Sequence, residues 1–222
     1  MSSAVIQLLV LAGIAIFLIL RLRNVLGTRD GFEKPPVPIS RAPGAADRGR
    51  RDFEVIEGGP DRDITDHVAE DSDAAKALAA MKLVEPEFSV GEFLQGARGA
   101  YEMILMAFER GDLAAIKPFL SKDVHQSFAE VVADRERQGL KIEAKFSGLG
   151  ELSLVDADFD RDSGEAEITV RFQGELVSAV RNAKGEIVEG STTDIRRQKD
   201  VWTFARKMGT GDPNWQLVAT GG

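Results

Sequence analysis

Residues Ala4–Leu20, AVIQLLVLAGIAIFLIL, form a stretch of seventeen residues without a charge, with Gln7 its one polar side chain. As a helix it spans roughly 25 Å at about 1.5 Å per residue, slightly less than a hydrocarbon core of about 30 Å. Continuation through Leu22, Val25 and Leu26 to Gly27 closes the gap, with Arg21 and Arg23 reaching into the headgroups. The stretch therefore predicts a transmembrane anchor over residues 1–27. A cleaved secretory signal would put its basic residues before the apolar run and a small-x-small site after it, whereas here the arginines follow. Because cationic flanks stay on the cytoplasmic side, the same asymmetry predicts that everything beyond Arg21 is cytoplasmic. The expected location is a membrane crossed once.

About two hundred residues remain, which suits one domain and a linker. Cysteine is absent, so disulfides and thiolate chemistry are excluded. A net charge of -8 argues against nucleic acid as a partner, since phosphate binding needs a basic surface. Residues 28–85 read as a flexible linker. Pro35, Pro36, Pro38 and Pro43 stiffen its start, and the passage after them has too little apolar periodicity for a core. Within it, 72–84 carries good helix formers behind the cap candidates Ser72 and Asp73 and predicts a short helix that docks on the domain or on a partner.

The folded domain is expected over 86–222. Ser89 and Glu92 match a capping box, after which Phe93, Ala97, Tyr101, Ile104, Leu105 and Phe108 fall on one helical face. Gly111 stops that helix, and a further helix follows, with Val124, Phe128, Val131 and Val132 as its expected buried stripe. Beyond Leu140 the apolar period changes to two. Strands are expected at 141–146 and 152–159, at 164–172, at 176–180 after a bend or bulge at Gly174, as one long return over 187–208, and at 215–220. Short connections imply an antiparallel, strongly curved sheet. The expected class is α+β, helices packed on that sheet.

Catalytic patterns are missing. His67 and His125 lack metal-ligand spacing and read as polar surface. Asp156, Asp158, Asp160 and Asp162 alternate like the oxygens of a calcium loop, but no glycine stands at the sixth position, so a solvated strand end and turn is the better reading. No metal and no cofactor is expected. Tyr101, Phe108, Phe128, Trp202, Phe204 and Trp215 are candidates to pave a pocket between helices and sheet, with core filling the plainer role for most of them. Lys117, Lys122, Arg196, Arg197 and Lys199 are candidates for a headgroup-facing patch, against scattered solvating charge.

The closing hairpin VWTFARKMGTGDPNWQLVAT (Val201–Thr220) resembles that of the Tim44-like family. So do the helical stretch Phe93–Ser121 and the helix ending DRERQG (Asp134–Gly139), while LGTRDGFE (Leu26–Glu33) is similar to the opening of the short, membrane-anchored bacterial members of alphaproteobacterial type. The resemblance implies a cystatin/NTF2-like domain with a large apolar pocket and a life as a membrane-tethered adaptor. The family's mitochondrial members hold an Hsp70 chaperone at the inner-membrane protein translocase, and their domain contacts the membrane, cardiolipin included. The sequence differs from them in its transmembrane segment and in lacking a long charged helical arm. The resemblance thus implies a non-enzymatic adaptor that positions client proteins at the cytoplasmic face of a bacterial inner (plasma) membrane, with protein partners and anionic lipid as candidate contacts. The alternative is a binder of a lipid or other apolar ligand in the pocket.

Overall fold

The computed structural model describes residues 60–221; the apolar run at 4–20 and its flanking Arg21 and Arg23 lie outside them. Among the described residues no helix is long and apolar enough to cross a membrane.

The helices come first and the strands after. A single turn, α1 (Arg62–Thr65), precedes α2 (Asp73–Val84), the long α3 (Val90–Arg110), the short α4 (Leu113–Ile116) and α5 (Lys122–Arg137). Each of the three longer helices starts on a serine whose hydroxyl accepts a backbone N–H: Ser72 from Ala75, Ser89 from Glu92 and Ser121 from Val124. Gly111, at φ 75°, ends α3 in the left-handed conformation that glycine adopts without strain. Five strands follow: β1 (Lys141–Phe159), β2 (Glu165–Arg181), β3 (Ile187–Gly190), β4 (Arg196–Lys207) and β5 (Gln216–Gly221). They form one antiparallel sheet in the order β1-β2-β4-β5, with β3 extending the β4 side of β2.

Alternation along β2 decides which face is covered. Ala166, Ile168, Val170 and Phe172 are fully buried, and the cross-strand partners of Ile168 and Val170 on β4, Phe204 and Trp202, point the same way. The other face carries Glu165, Glu167 and Arg171 and a Thr169–Thr203 hydroxyl pair at 3.0 Å. The helices lie on the apolar face, which makes an α+β fold with one core.

Five expectations are corrected, the fifth at Gly174. Ile64, Leu78 and Met81 are buried in the same core as Tyr101 and Phe172, so packing begins upstream of the expected boundary at 86, inside the region read as linker. The separate strands expected at 141–146 and 152–159 are one strand whose pairing slips three times, the second slip placing Gly150 as an extra residue opposite β2. The long return breaks into β3 and β4 at Gly190 (φ 78°), where a side chain would run into the Ser178 carbonyl. On α5 only Val124 is buried; Phe128 and Val132 are half-buried against α3 and its end, and Val131, beside that face, is 43 % exposed.

Gly174 is neither a bend nor the bulged residue. It pairs regularly with Gln198 on β4, and its missing side chain makes room for Tyr101: a Cβ there would lie 2.5 Å from the Tyr101 hydroxyl. Tyr101 stacks on Phe172 at 4.5 Å, contacts Trp202 at 4.8 Å, and donates to Asp200 Oδ2 at 2.5 Å. Burial, with that carboxylate next, pushes the phenol well above its usual range, so it stays a proton donor.

Asp63 joins the N-terminal elements. Its carboxylate accepts the Val90 and Gly91 N–H groups at 2.8 and 2.9 Å and the Ser89 hydroxyl at 3.0 Å, and pairs with Lys82 at 2.7 Å. A side chain from α1 thus caps α3 and ties it to α2. Burial by itself would raise its pKa. Lys82, the Gly91 and Val90 amides and Ser89 outweigh it and hold the carboxyl well below the usual range.

Two outcomes are expected. Gly174→Ala should cost about 1–3 kcal/mol in urea unfolding through overpacking against Tyr101, and adding Tyr101→Phe, which removes the nearest atom, should recover part of it. Because the folded pKa of Asp63 is depressed, its contribution is complete above the unfolded value of about 3.9 and fades as pH falls below it. Asp63→Asn should lower neutral-pH stability by about 1–2 kcal/mol and flatten the acid limb of the stability–pH profile, measured by thermal melts from neutral pH downwards.

Candidate functional site

A groove of about 960 Å³ opens between α3, the α2–α3 connection and the β4–β5 hairpin. Helical spacing on α3 supplies two of its rows. Phe93, Ala97, Ala100 and Ile104 make the floor; Glu92, Gly96, Gly99 and Met103 make the edge beside it. The opposite wall is aromatic. Trp215 stands edge-on to Phe93 at 4.8 Å, Phe204 lies 6.0 Å from Phe93, and Phe88 is 6.1 Å from Trp215.

One ion pair holds the hairpin against the helices. Arg206, whose side chain is only 9 % exposed, donates to Glu85 Oε2 at 2.5 Å and to the Asp212 carbonyl at 3.0 Å, and lies over the Trp215 ring at 5.1 Å. The other oxygen of Glu85 accepts the Gly209 N–H at 2.7 Å. Partly buried and hydrogen-bonded at both ends, this pair fixes the separation of the two walls.

Gly96 and Gly99 sit inside a 21-residue helix and are exposed, and a Cβ at either would meet nothing within 4 Å. Glycine in a helix interior costs about 1 kcal/mol relative to alanine. No packing within the domain requires it at these two places. Their effect is to leave the α3 backbone uncovered along the groove.

The six aromatic candidates divide. Phe204 and Trp215 line the groove. Tyr101 and Trp202 are buried in the core beneath it, and Phe108 and Phe128 pack on each other at 4.4 Å between α3 and α5, with Arg135 over the Phe108 ring. Periodicity identified all six as apolar-facing, but it cannot separate a filled core from an open one. Phe93, expected only as part of a buried helical face, lines the groove, as do Phe88, Glu85 and Arg206, for which the sequence offers no local signal. Two glycines inside an otherwise helical pattern were the available signal.

The basic candidates do not converge. Arg196 begins β4 while Lys117 and Lys122 flank Leu120, which bridges to Leu217 opposite Phe204; eight strand residues, roughly 26 Å, separate the two levels. Arg197 pairs with Glu175 at 2.9 Å. His67 is exposed, and Asp160 accepts the Asp162 and Ser163 N–H groups as the cap of the β1–β2 turn. Among the described residues no group of three or more His, Cys, Asp or Glu is placed to hold a metal ion.

The profile of the Tim44-like domain family matches residues 74–222. The human mitochondrial import inner membrane translocase subunit TIM44 is 25 % identical over 150 residues, 66 % of this chain and 33 % of that protein. The Arabidopsis thaliana subunit TIM44-1 is 23 % identical over 143 residues, 64 % and 30 % of the two chains. The chain thus spans about a third of the length of the curated relatives it matches. Among solved structures, the intermembrane space region of the chloroplast protein ARC6 superposes loosely, with a TM-score of 0.39 at 12 % identity over 58 % of this chain and 94 % of that one.

If the two glycines serve the groove and not the fold, Gly96→Ala and Gly99→Ala should each raise stability by about 0.5–1 kcal/mol. Thermal and urea unfolding measure it; a loss of stability would show that the groove edge is already in contact.

Proposed function

Since this chain belongs to the Tim44-like domain family, we propose that it is a non-enzymatic adaptor that positions partner proteins at the cytoplasmic face of a bacterial inner membrane. The relatives are named as subunits of the mitochondrial import inner membrane translocase. The apolar run Ala4–Leu20 with Arg21 and Arg23 behind it supports a single-span tether in this orientation.

The observation that carries the reading is the open apolar groove of a Tim44-like domain. Its wall residues are aromatic and aliphatic, and its one nearly buried ion pair, Glu85–Arg206, is engaged in holding the hairpin. Such a surface suits contact with another apolar surface better than proton transfer, which needs a titratable group aimed at a substrate.

A second reading is favoured by the groove's volume. About 960 Å³ with an apolar floor is enough for a lipid tail or another apolar ligand. Native mass spectrometry of the full chain released from membranes would show that ligand as a bound mass.

The adaptor reading is tested by crosslinking in cells followed by purification of the full chain. Recovery of the same membrane or chaperone partners in repeated experiments, lost when 60–222 is removed, is expected. Reproducible absence of partners, extraction of the full chain by carbonate, or digestion of its bulk by protease added outside intact cells would overturn it.

A further inference from the structure

β1 is an end strand of the sheet, and its outer side meets no other strand among the described residues. Every second residue of β1 therefore turns a backbone N–H and C=O away from β2, a template for a further strand. Bulges commonly spoil such an edge, and in β1 they spoil only part of it. All its pairing slips fall after Phe146, whereas Lys141 to Phe146 pair with Arg181 to Leu176 without interruption. The same part keeps apolar surface within reach. Ile142, Ala144 and Phe146 share the face that meets Tyr101 but are only half-buried, and Ile142 takes no part in the core cluster. Lys141, Glu143, Lys145 and Ser147 alternate with them and are exposed.

This segment is complementary to itself. Antiparallel partners must both turn their backbone groups to the shared edge, so a strand facing its own copy can only oppose odd positions to odd and even to even. A two-fold axis at Ala144 meets that condition. It opposes Glu143 to the second copy's Lys145 and Ile142 to the second copy's Phe146, each pair twice, with the small alanine meeting itself at the centre. Moving the axis to Glu143 sets that carboxylate against itself and Lys141 against Lys145, and moving it to Lys145 sets ammonium against ammonium. An axis at Ile142 leaves only 141–143 of the strand paired. Charge and backbone geometry thus select one register. Lysines on an edge usually repel a second strand; the glutamate between these two turns the repulsion into a match. Glu143 pairs with Arg181 at 2.9 Å within the sheet and, with its side chain 56 % exposed, has room for a second cation.

We propose that the β1 edge over 141–147 is a self-association surface, at which a second copy of this chain adds its own β1 in antiparallel register about Ala144. The inference goes beyond the adaptor reading and does not depend on it. The shared ribbon is roughly 23 Å long, and the sheet of one copy continues into that of the other. With the axis perpendicular to the sheet, both helix-covered faces look the same way. Because β1 and β5 stand at opposite ends of the strand order, the β4–β5 hairpin of each copy and the groove beside it stay uncovered. The pair thus presents two grooves, one at either end of the joined sheet.

The test uses the full chain in dodecyl maltoside micelles, with the protein mass per micelle read by light scattering over a dilution series. Two chains per micelle at high concentration, separating on dilution, are expected. Glu143→Lys and Lys145→Glu, each alone, set like charges opposite one another and should weaken association by about tenfold, since each charge pair is present twice. Mixing the two variants should restore a dimer holding one of each, and both substitutions in one chain should restore self-association. Loss of folding could not produce either recovery. The apolar run at 4–20 is unchanged in all of these chains, so association driven by it would not respond to charge at 143 and 145. The chain has no cysteine, so Ala144→Cys supplies its sole thiol. Residues facing each other at the axis stand about 4.5–5.5 Å apart between Cα atoms, a span that a disulfide bridges. Ala144→Cys should become a covalent dimer on air oxidation, well ahead of Ala183→Cys in the β2–β3 turn. A single chain per micelle at every concentration overturns the proposal. So does undiminished association of either single variant, a weakened pair that recovers neither on mixing nor on combination, or an Ala144→Cys chain that crosslinks no faster than Ala183→Cys.

Discussion

The seat of Tyr101 on the sheet sets the position of everything around it. A tyrosine ring laid flat on Phe172, with its hydroxyl donating to Asp200 and its edge filling the gap left by Gly174, is constrained in translation and rotation at once. Stacking and burial provide the attraction, and the short bond to a carboxylate provides direction. The 21-residue α3 is thereby fixed on the concave face near its middle. Its first half is held over the β4–β5 hairpin, and its second half runs on to the Phe108–Phe128 contact with α5.

The groove follows from that placement and from two polar tethers at its end. Asp63 fastens the start of α3 to α1 and α2, while Glu85 fastens the α2–α3 connection to Arg206 and Gly209 of the hairpin. Both carboxylates are partly buried and multiply bonded, a geometry in which removing one partner leaves the other charge poorly compensated. The walls are thus tied to each other at one end by attractive polar contacts that set their spacing, while hydrophobic burial is satisfied deeper in the core by Tyr101, Phe172 and Trp202. An open apolar surface beside a filled core is the arrangement a binding domain needs and a purely structural one does not.

Much of the fold is legible in the chain because local chemistry decides it. The serines before α2, α3 and α5, the four-residue spacing from Phe93 to Ala97 and Tyr101, and the strict alternation from Ala166 to Phe172 each have one local solution, and the structure adopts it. The candidate site is less legible. Phe204 and Trp215 line the groove whereas Trp202, two positions before Phe204 on the same face of β4, lies in the core, a difference of location that periodicity does not encode. Asp63, Glu85 and Arg206 look like ordinary surface charges in sequence, since their partners stand 27, 121 and 121 positions away.

The sequence by itself determined the order of helices and strands, their capped ends, the apolar faces and the absence of cysteine chemistry, because each depends on residues within a few positions of one another. Tertiary structure alone decided that Gly174 exists for Tyr101, that the helix at 73–84 belongs to the core, and that Gly96 and Gly99 border an open groove. Those outcomes depend on which distant surfaces meet and which are left uncovered, and a one-dimensional pattern of polarity carries no record of that.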